Sequence, residues 1–257
     1  MTARTIDLNC DLGENPDRVR DGTDAALLDI VTSANIACGG HAGDPFTMSH
    51  TVRAAMARGV AIGAHPSYPD PERFGRVEMV MPLPDLKESL VRQIAALQQI
   101  VTSLGATLRH VKPHGALYHA AMTRMDVAAT VADAVRQVDP SLVLVGLSGA
   151  PGLARWNGLG FRVFAEAFAD RRYEPDGSLR SRSLPGSLIS DPVQAAAQAT
   201  HIALHRPIET SGGWPLVVSA DTICVHSDTP DAVNIARGVR TGLTSAGLNV
   251  VFPAVQT

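Results

Sequence analysis

Residues 108–118 read LRHVKPHGALY, and this stretch indicates both the class of fold and the place where its chemistry lies. The segment 108–111, with apolar residues at its two ends, predicts a buried strand, which the following proline and glycine end. Lys112 and His114 are therefore expected at the carboxyl end of that strand. The chain has only one other lysine, Lys87, so a lysine here suggests a compact ammonium that approaches a small group. The competing interpretation is a surface lysine beside a turn.

Outward from this strand, short apolar runs alternate with longer segments of helical periodicity, a pattern that is typical of βαβ units. The predicted strands are 5–9, 34–38, 60–64, 108–111, 142–146, 162–166, 216–219 and 222–225, with a candidate final strand at 248–252. The predicted helices are 24–31, 45–58, 84–104, 126–138, 150–159, 192–205 and 228–246. About seven such units predict an α/β fold with a closed or nearly closed parallel barrel, and a doubly wound open sheet is the alternative.

Composition narrows the class of protein. The chain has 257 residues, a net charge of -3 and no composition shift that would mark a linker, so we expect one domain over 1–257. It has no basic tail or stripe for nucleic acid, and no apolar run of the roughly 18 residues that span a bilayer. The amino terminus lacks the apolar region of a signal peptide. Three scattered cysteines, Cys10, Cys38 and Cys224, suit a reducing cytoplasm better than a disulfide framework.

Polar side chains recur where the predicted strands end. In parallel α/β folds these carboxyl ends meet at one face, so we expect the side chains there to lie close together. Three of the ends carry a histidine beside glycine or proline, namely His41, His65 and His114. The other candidates at strand ends are Asp7, Asn9, Asp11, Glu14, Lys112, Glu166, Asp170, Arg171, His226 and Asp228. A long loop at 168–190 has the length of a lid or binding loop.

Two chemistries fit this set of residues, and the residues alone leave both open. The first is a divalent metal held by His41, His65 and a carboxylate from Asp7 or Asp11, a donor set that suits zinc or manganese. Such a metal acidifies a water for attack on a carbonyl carbon. The second uses no metal: a carboxylate or histidine is the general base, and Lys112 or an arginine stabilises the developing oxyanion.

Six ordered motifs resemble those of the LamB/YcsF family, the A subunits of 5-oxoprolinase. The motifs are IDLNCDLGE at 6–14, NIACGGHAGDP at 35–45, GAHPSYPD at 63–70, KPHGALY at 112–118, EAFADR at 166–171 and ICVH at 223–226. The resemblance covers nearly the whole chain. It implies a seven-stranded or irregular barrel similar to the glycoside hydrolase and deacetylase barrels.

The resemblance also implies an activity and partners. The implied reaction is ATP-dependent opening of 5-oxoproline (pyroglutamate) to L-glutamate, with ATP as co-substrate and subunits B and C as partners. ATP can activate the stable lactam by phosphorylating its amide oxygen. The chain has no Gly-x-x-x-x-Gly-Lys-Ser/Thr phosphate loop, so phosphorylation is expected to belong to the partners.

Roles for particular residues follow from the resemblance as hypotheses. The expected catalytic residues are Asp7, Asp11, His41, His65, Lys112 and His114, and the expected substrate- or phosphate-binding residues are Asn9, Glu166, Asp170, Arg171 and His226. Two other functions remain alternatives. One is a stand-alone, metal-dependent carbohydrate deacetylase or amidohydrolase, and the other is a subunit that binds substrate without catalysis.

Overall fold

Seven parallel strands close into a barrel in the computed structural model of the chain, which describes residues 4–253. The strands of the described part are β1 (Thr5–Leu12), β2 (Ser33–Ala37), β3 (Ala61–His65), β4 (Leu108–Val111), β5 (Val143–Leu147), β6 (Val163–Phe168), β7 (Ile208–Glu209), β8 (Pro215–Leu216), β9 (Thr222–His226) and β10 (Asn249–Val250). The order around the barrel is β1-β2-β3-β4-β5-β6-β9, and β9 pairs with β1 to close it. The predicted parallel barrel is confirmed, and the open sheet is excluded.

Helices surround the barrel and bury its outer face. Those of the described part are α1 (Pro16–Arg20), α2 (Thr23–Leu28), α3 (Pro45–Met56), α4 (Leu83–Ser103), α5 (Gly115–Thr123), α6 (Met125–Val138), α7 (Pro151–Gly158), α8 (Pro192–Ala203) and α9 (Ala232–Ser245). On α4, Leu86, Leu90, Ile94, Leu97 and Val101 repeat every three to four residues and are all buried. Full burial of one such side chain contributes about 1.5–3 kcal/mol, so this face fixes α4 on the barrel.

Strand β1 directs apolar side chains toward the surrounding helices and polar side chains into the barrel interior. Alternate residues of a strand point to opposite faces, and Leu8 and Cys10 pack in the hydrophobic core under the helices. Asp7, Asn9 and Asp11 face the interior, where Asn9 donates a hydrogen bond to a residue of β6. A barrel interior is usually filled by branched apolar side chains. The interior of this one is instead filled by polar side chains that hydrogen-bond to one another across the barrel.

The amino-terminal end of the barrel is closed by apolar side chains. Val143, Val145 and Phe164 form a separate buried cluster there, and Phe252 packs against it from the end of the chain. This plug leaves the carboxyl-terminal end as the open one. Strand β10 pairs with the start of β1 and lies within the candidate final strand predicted at 248–252. Residues 251–253 follow it.

Some predicted elements differ from the observed ones. Strand β1 extends to Leu12, beyond the predicted end at residue 9. The predicted strand at 216–219 is wrong, because only Pro215–Leu216 is extended and it pairs antiparallel with Ile208–Glu209 outside the barrel. Helices α1 and α5 were not predicted, and α9 begins at Ala232 because a turn occupies 228–231. Across residues 4–253, no helix combines the length and apolar character needed to cross a membrane.

Candidate active site

The carboxyl ends of the strands surround one cleft. Its lining includes Asp11, Glu14, His65, Lys112, His114, Tyr118, Phe168, Arg171 and His226. Three barrel strands carry a lining residue at this end: β1 carries Asp11, β3 carries His65 and β9 carries His226. Lys112 directly follows β4 and Arg171 follows β6. The geometry thus brings together residues that lie far apart in the sequence.

Three of these side chains, Glu14, His65 and His114, form a buried group with His41. We call these four residues the imidazole cluster. His41 Nε2 lies 3.0 Å and His114 Nδ1 lies 3.1 Å from Glu14 Oε1, and His65 Nε2 lies 3.6 Å from the same oxygen. The rings of His41 and His114 stack with centroids 3.7 Å apart. One ligand-type atom from each of the four residues lies within 4.8 Å of the others.

Backbone carbonyls fix the hydrogen positions of two of these rings. His65 Nδ1 donates to the Lys112 carbonyl at 2.7 Å, and His114 Nε2 donates to the Phe74 carbonyl at 2.9 Å. In the neutral rings, His65 Nε2 and His114 Nδ1 are then both lone-pair atoms, and they face each other at 3.0 Å. Nδ1 of His41 is buried and has no hydrogen-bond partner within the described residues. Facing lone pairs beside a carboxylate require a cation among them, either a shared proton or a metal ion.

Burial and nearby charges shift the pKa values of the three histidines in different directions. Burial lowers the pKa of His41 to about 4 and also lowers the pKa of His114. Burial acts in the same direction on His65, but the Asp11 and Glu14 carboxylates outweigh it and raise the pKa of His65. Although burial opposes it, hydrogen bonds from His114 and His41 hold the pKa of Glu14 well below its usual range. His65 is therefore the ring that holds an added proton best.

Lys112 lies beneath this cluster as a buried ammonium. Its Nζ lies 2.9 Å from Asp11 Oδ1, 2.8 Å from Glu166 Oε1 and 3.2 Å from Cys224 Sγ. Burial acts to lower its pKa, but Asp11, Cys224 and Glu166 together raise the pKa of Lys112 well above its usual value. Burial acts to raise the pKa of Asp11, whereas His65 and Lys112 hold it well below the usual range. At neutral pH this is a charged pair, so Lys112 can stabilise an anion but cannot act as a base.

His226 is held by a carboxylate on the far side of the cleft. Asp170 accepts hydrogen bonds from His226 Nδ1 at 2.9 Å, from the His226 backbone N–H at 3.0 Å and from Thr229 Oγ1 at 2.7 Å. The His226 ring also stacks on Phe168. Burial acts to raise the pKa of Asp170, but the charge and hydrogen bonds of His226 lower it. Asp170 therefore orients His226, which lines the cleft.

Arg171 is the buried cation of the long loop that follows β6. Its exposed fraction is 4%, and its Nη2 donates to the Arg180 carbonyl at 2.7 Å. The loop is tied by isolated bridges between Arg171 and Leu188 and between Tyr173 and Leu179. Gln198 of α8 donates to the Arg171 carbonyl at 2.8 Å. The predicted loop at 168–190 is thus held in place by hydrogen bonds and forms one wall of the cleft.

The structure does not bring Asp7 to this site. Asp7 and Asp11 are four residues apart on β1, which at about 3.3 Å per residue separates them by about 13 Å along the strand. Asp7 instead accepts hydrogen bonds from Thr32, Ser33 and Thr222 at 2.5 to 2.7 Å near the plugged end. The expectation of Asp7 as a catalytic residue or metal ligand with His41 and His65 is therefore corrected. Alternation along a strand predicts a shared face but not a shared depth.

Asn9 occupies the layer between Asp7 and Asp11. Its Nδ2 donates to Glu166 Oε1 at 3.1 Å and to Thr222 Oγ1 at 2.7 Å, and its Oδ1 accepts from Asn35 at 2.9 Å. The Asn9 side chain thus supports the Lys112–Glu166 pair from below. Asn9 does not line the cleft, so this geometry gives its side chain no contact with a substrate bound there.

Glu14 is the member of the imidazole cluster that the sequence pattern placed at a strand end without assigning it a role. It follows Gly13, whose φ of 70° is left-handed and turns the chain after β1. The Gly13 N–H donates to the buried Asp24 carboxylate at 2.9 Å, which fixes the turn. The signal available in the sequence was a glycine two residues after Asp11, followed by an acid.

Comparisons with known proteins agree on one family. The sequence model of the LamB/YcsF family matches residues 6–256. The A subunit of 5-oxoprolinase from Chloroflexus aggregans is 47% identical over 97% of this chain and 99% of its own length. The corresponding A subunit of 5-oxoprolinase from Bordetella pertussis is 46% identical over 95% of this chain and 97% of its own length.

A solved structure gives the same result for the fold. The crystal structure of a lactam utilization protein from Thermus thermophilus superposes with a TM-score of 0.90 at 42% identity, over 96% of this chain and 99% of that one. The likeness therefore extends over the barrel and the loops that build the cleft, and not over a shared core alone.

Proposed function

The chain belongs to the LamB/YcsF family, and from that membership we propose that it is the A subunit of an ATP-dependent 5-oxoprolinase. In this reaction the C–N bond of a cyclic amide is hydrolysed: 5-oxoproline gives L-glutamate, and ATP gives ADP and phosphate. The observation that carries the proposal is the near-full-length identity with proteins named as the A subunit of 5-oxoprolinase. The buried cationic and imidazole groups of the cleft support a hydrolytic role.

We propose a division of labour within the complex. A lactam carbonyl is a poor electrophile, and phosphorylation of its oxygen by ATP makes the ring carbon easier to attack. The sequence of this chain has no phosphate loop of the Gly-x-x-x-x-Gly-Lys-Ser/Thr type. Nucleotide binding therefore falls to partner subunits, named B and C by the family resemblance. This chain then hydrolyses the activated ring, and the complex works in the cytoplasm.

The imidazole cluster fits a divalent metal ion. Its three imidazole nitrogens and one carboxylate oxygen are the donor types that zinc prefers, and the backbone carbonyls of Lys112 and Phe74 orient two of the rings as partners of zinc-bound histidines do. We propose Glu14, His41, His65 and His114 as the ligands. A bound ion would supply Lewis-acid polarisation and a more acidic water.

The remaining groups have roles that do not depend on the ion. Lys112, kept as an ammonium by Asp11 and Glu166, stabilises negative charge that develops on the oxygen of the attacked carbon. His226, oriented by Asp170, is placed to exchange a proton with substrate at the opposite wall. Arg171 contributes a fixed positive charge that attracts an anionic substrate group. Glu166 thus positions Lys112 and does not touch substrate.

Glutamate formation from 5-oxoproline tests the proposal. We expect product only when the chain, its partner subunits and ATP are all present. Hydrolysis of 5-oxoproline by the chain alone would contradict the division of labour. Release of acetate from an acetylated carbohydrate by the isolated chain, without ATP, would instead support the stand-alone deacetylase.

A further inference from the structure

Three arginines gather at the mouth of the cleft, above Lys112 and His114. Arg76 comes from the loop that follows β3, Arg171 lies three residues after the end of β6, and Arg182 lies further along the segment between β6 and α8. All three side chains line the same cleft. Guanidinium groups from separate segments that meet at one point are a common arrangement for binding phosphate, because each offers paired N–H donors.

Two of the arginines share one carboxylate. Arg182 Nη1 donates to Asp228 Oδ2 at 3.0 Å, and Arg76 Nη2 donates to the same oxygen. Asp228 lies in the turn after β9, so these bonds join three loops across the mouth. The Asp228 carboxylate is thus an internal anion at the point where the two guanidinium groups converge.

The third arginine has no such partner. Arg171 is 4% exposed, its Nε has no hydrogen-bond partner, and no carboxylate of the described residues forms an ion pair with it. The adjacent Asp170 is already occupied by His226 and Thr229. Burial and then the charge of Arg182 lower the pKa of Arg171 to about 10, which still leaves it charged at neutral pH. A buried cation with a free donor is costly unless a ligand accepts from it.

We propose that Arg76, Arg171 and Arg182 form a binding site for a phosphoryl dianion at the mouth of the cleft, with Asp228 in its place when the site is empty. Three guanidinium charges against the single carboxylate that Arg76 and Arg182 share leave an excess of two, which matches a dianion better than a carboxylate. The ligand is either free phosphate or the phosphoryl group of an activated substrate. Only the second source rests on the proposed function.

Inorganic phosphate is the probe, and its dissociation constant for the full chain is measured by isothermal titration calorimetry. Arg171→Met and Arg182→Met should each weaken phosphate binding by at least about tenfold, because each removes a charged donor. Arg155→Met, on the exposed side of α7, is the matched control and should leave binding unchanged. Asp228→Asn should bind phosphate more tightly, because the competing anion is gone.

The phosphate affinity of Asp228→Asn distinguishes a phosphate-binding site from arginines that only form structural ion pairs. If the arginines serve only to hold loops through Asp228, that variant will bind phosphate no better than the wild type, and the proposal is overturned. Equal affinities for wild type, Arg171→Met and Arg182→Met would overturn it as well. Because Arg182 is partly exposed, its variant remains informative if Arg171→Met does not fold.

Two further arms identify the source of the anion. If the site takes the phosphoryl group of activated substrate, phosphate inhibits glutamate formation by the reconstituted complex, and Arg182→Met relieves that inhibition. If it takes only free phosphate, binding occurs without inhibition. If 5-oxoproline displaces phosphate from the isolated chain, the site holds the substrate carboxylate and the proposal fails. Absence of 5-oxoproline turnover in the wild-type complex would refute the proposed function but not phosphate binding.

Discussion

His65 Nε2 and His114 Nδ1 face each other at 3.0 Å, while the other nitrogen of each ring donates to a backbone carbonyl. Neither ring can rotate to relieve this contact without losing its carbonyl bond. Glu14 Oε1 lies 3.1 Å from His114 Nδ1 and 3.6 Å from His65 Nε2, so three electron-rich atoms converge. The arrangement is stable only with a cation among them.

The first prediction concerns metal content. We expect the purified chain, incubated with zinc and desalted, to retain about one ion per chain, and His65→Gln and His114→Gln to retain far less. His50→Gln changes an exposed histidine of α3 and should keep the wild-type content. Elemental analysis by mass spectrometry measures all four proteins. Full retention by the His65 and His114 variants would exclude the imidazole cluster as the site.

The second prediction concerns the buried ammonium. Lys112→Met leaves Asp11 and Glu166 without their counter-charge, so we expect the free energy of unfolding to fall by about 3–5 kcal/mol. Lys112→Met combined with Glu166→Gln should regain part of that stability, because one uncompensated carboxylate is removed. Lys87→Met on α4 is the control and should be close to neutral. Urea unfolding that shows no recovery in the double variant would argue against the ion pair.

A third prediction uses the pH dependence of stability. Burial raises the pKa of Asp24 from 3.8 to about 6, so between these values the folded state binds more protons than the unfolded state. Stability from this group is therefore greatest below pH 4 and is lost as pH rises through about 6. Asp24→Asn removes this dependence and can still accept from the Gly13 N–H.

The stability of Asp24→Asn relative to wild type should thus increase from pH 4 to pH 7, by at most about 3 kcal/mol for a shift of about 2 pKa units. Urea unfolding of both proteins at the two pH values measures the difference. Val80→Ala changes an exposed side chain that has no titratable group and should show no such trend. A difference that does not change with pH would mean that Asp24 is ionised in the folded protein as freely as in the unfolded one.

A fourth prediction tests the packing of the barrel interior. A Cβ added at Gly63 of β3 would lie 2.0 Å from His110 Nε2, and that nitrogen is held 2.8 Å from Asn35 Oδ1. Gly63→Ala should therefore destabilise the fold by about 1–3 kcal/mol or more. Gly158→Ala, where nothing lies within 4 Å, should be neutral or slightly stabilising. Equal thermal unfolding of the two variants would contradict the tight interior.

The sequence predicted the barrel well because its strands are short apolar runs that helical segments separate. This alternation was enough to locate β4 and the buried face of α4 where they were expected. Helix α5 was missed because its first residue is Gly115 and its cap, His114, makes no side-chain capping bond. The strand at 216–219 failed because a β-rich composition does not ensure a pairing partner in the barrel.

The sequence predicted which strand ends meet at the site, but it did not predict the positions of Asp7 and Glu14. Convergence of strand ends correctly placed His65, Lys112 and His226 in one cleft. Alternation along β1 predicts that Asp7 and Asp11 share a face, but that prediction did not allow for the distance of about 13 Å along the strand that separates them. Glu14 enters the cluster through the turn at Gly13, and turns of this kind are not visible in strand periodicity.

The most direct test of the account compares wild-type chain and His65→Gln in the complex reconstituted with its partner subunits. Glutamate formed from 5-oxoproline and ATP is measured, together with co-elution of the subunits on size exclusion. We predict that the variant assembles normally but loses activity by at least about a hundredfold, the cost of removing a group that acts in the reaction. Wild-type turnover by an assembled His65→Gln complex would contradict it and would leave this chain with a supporting role only.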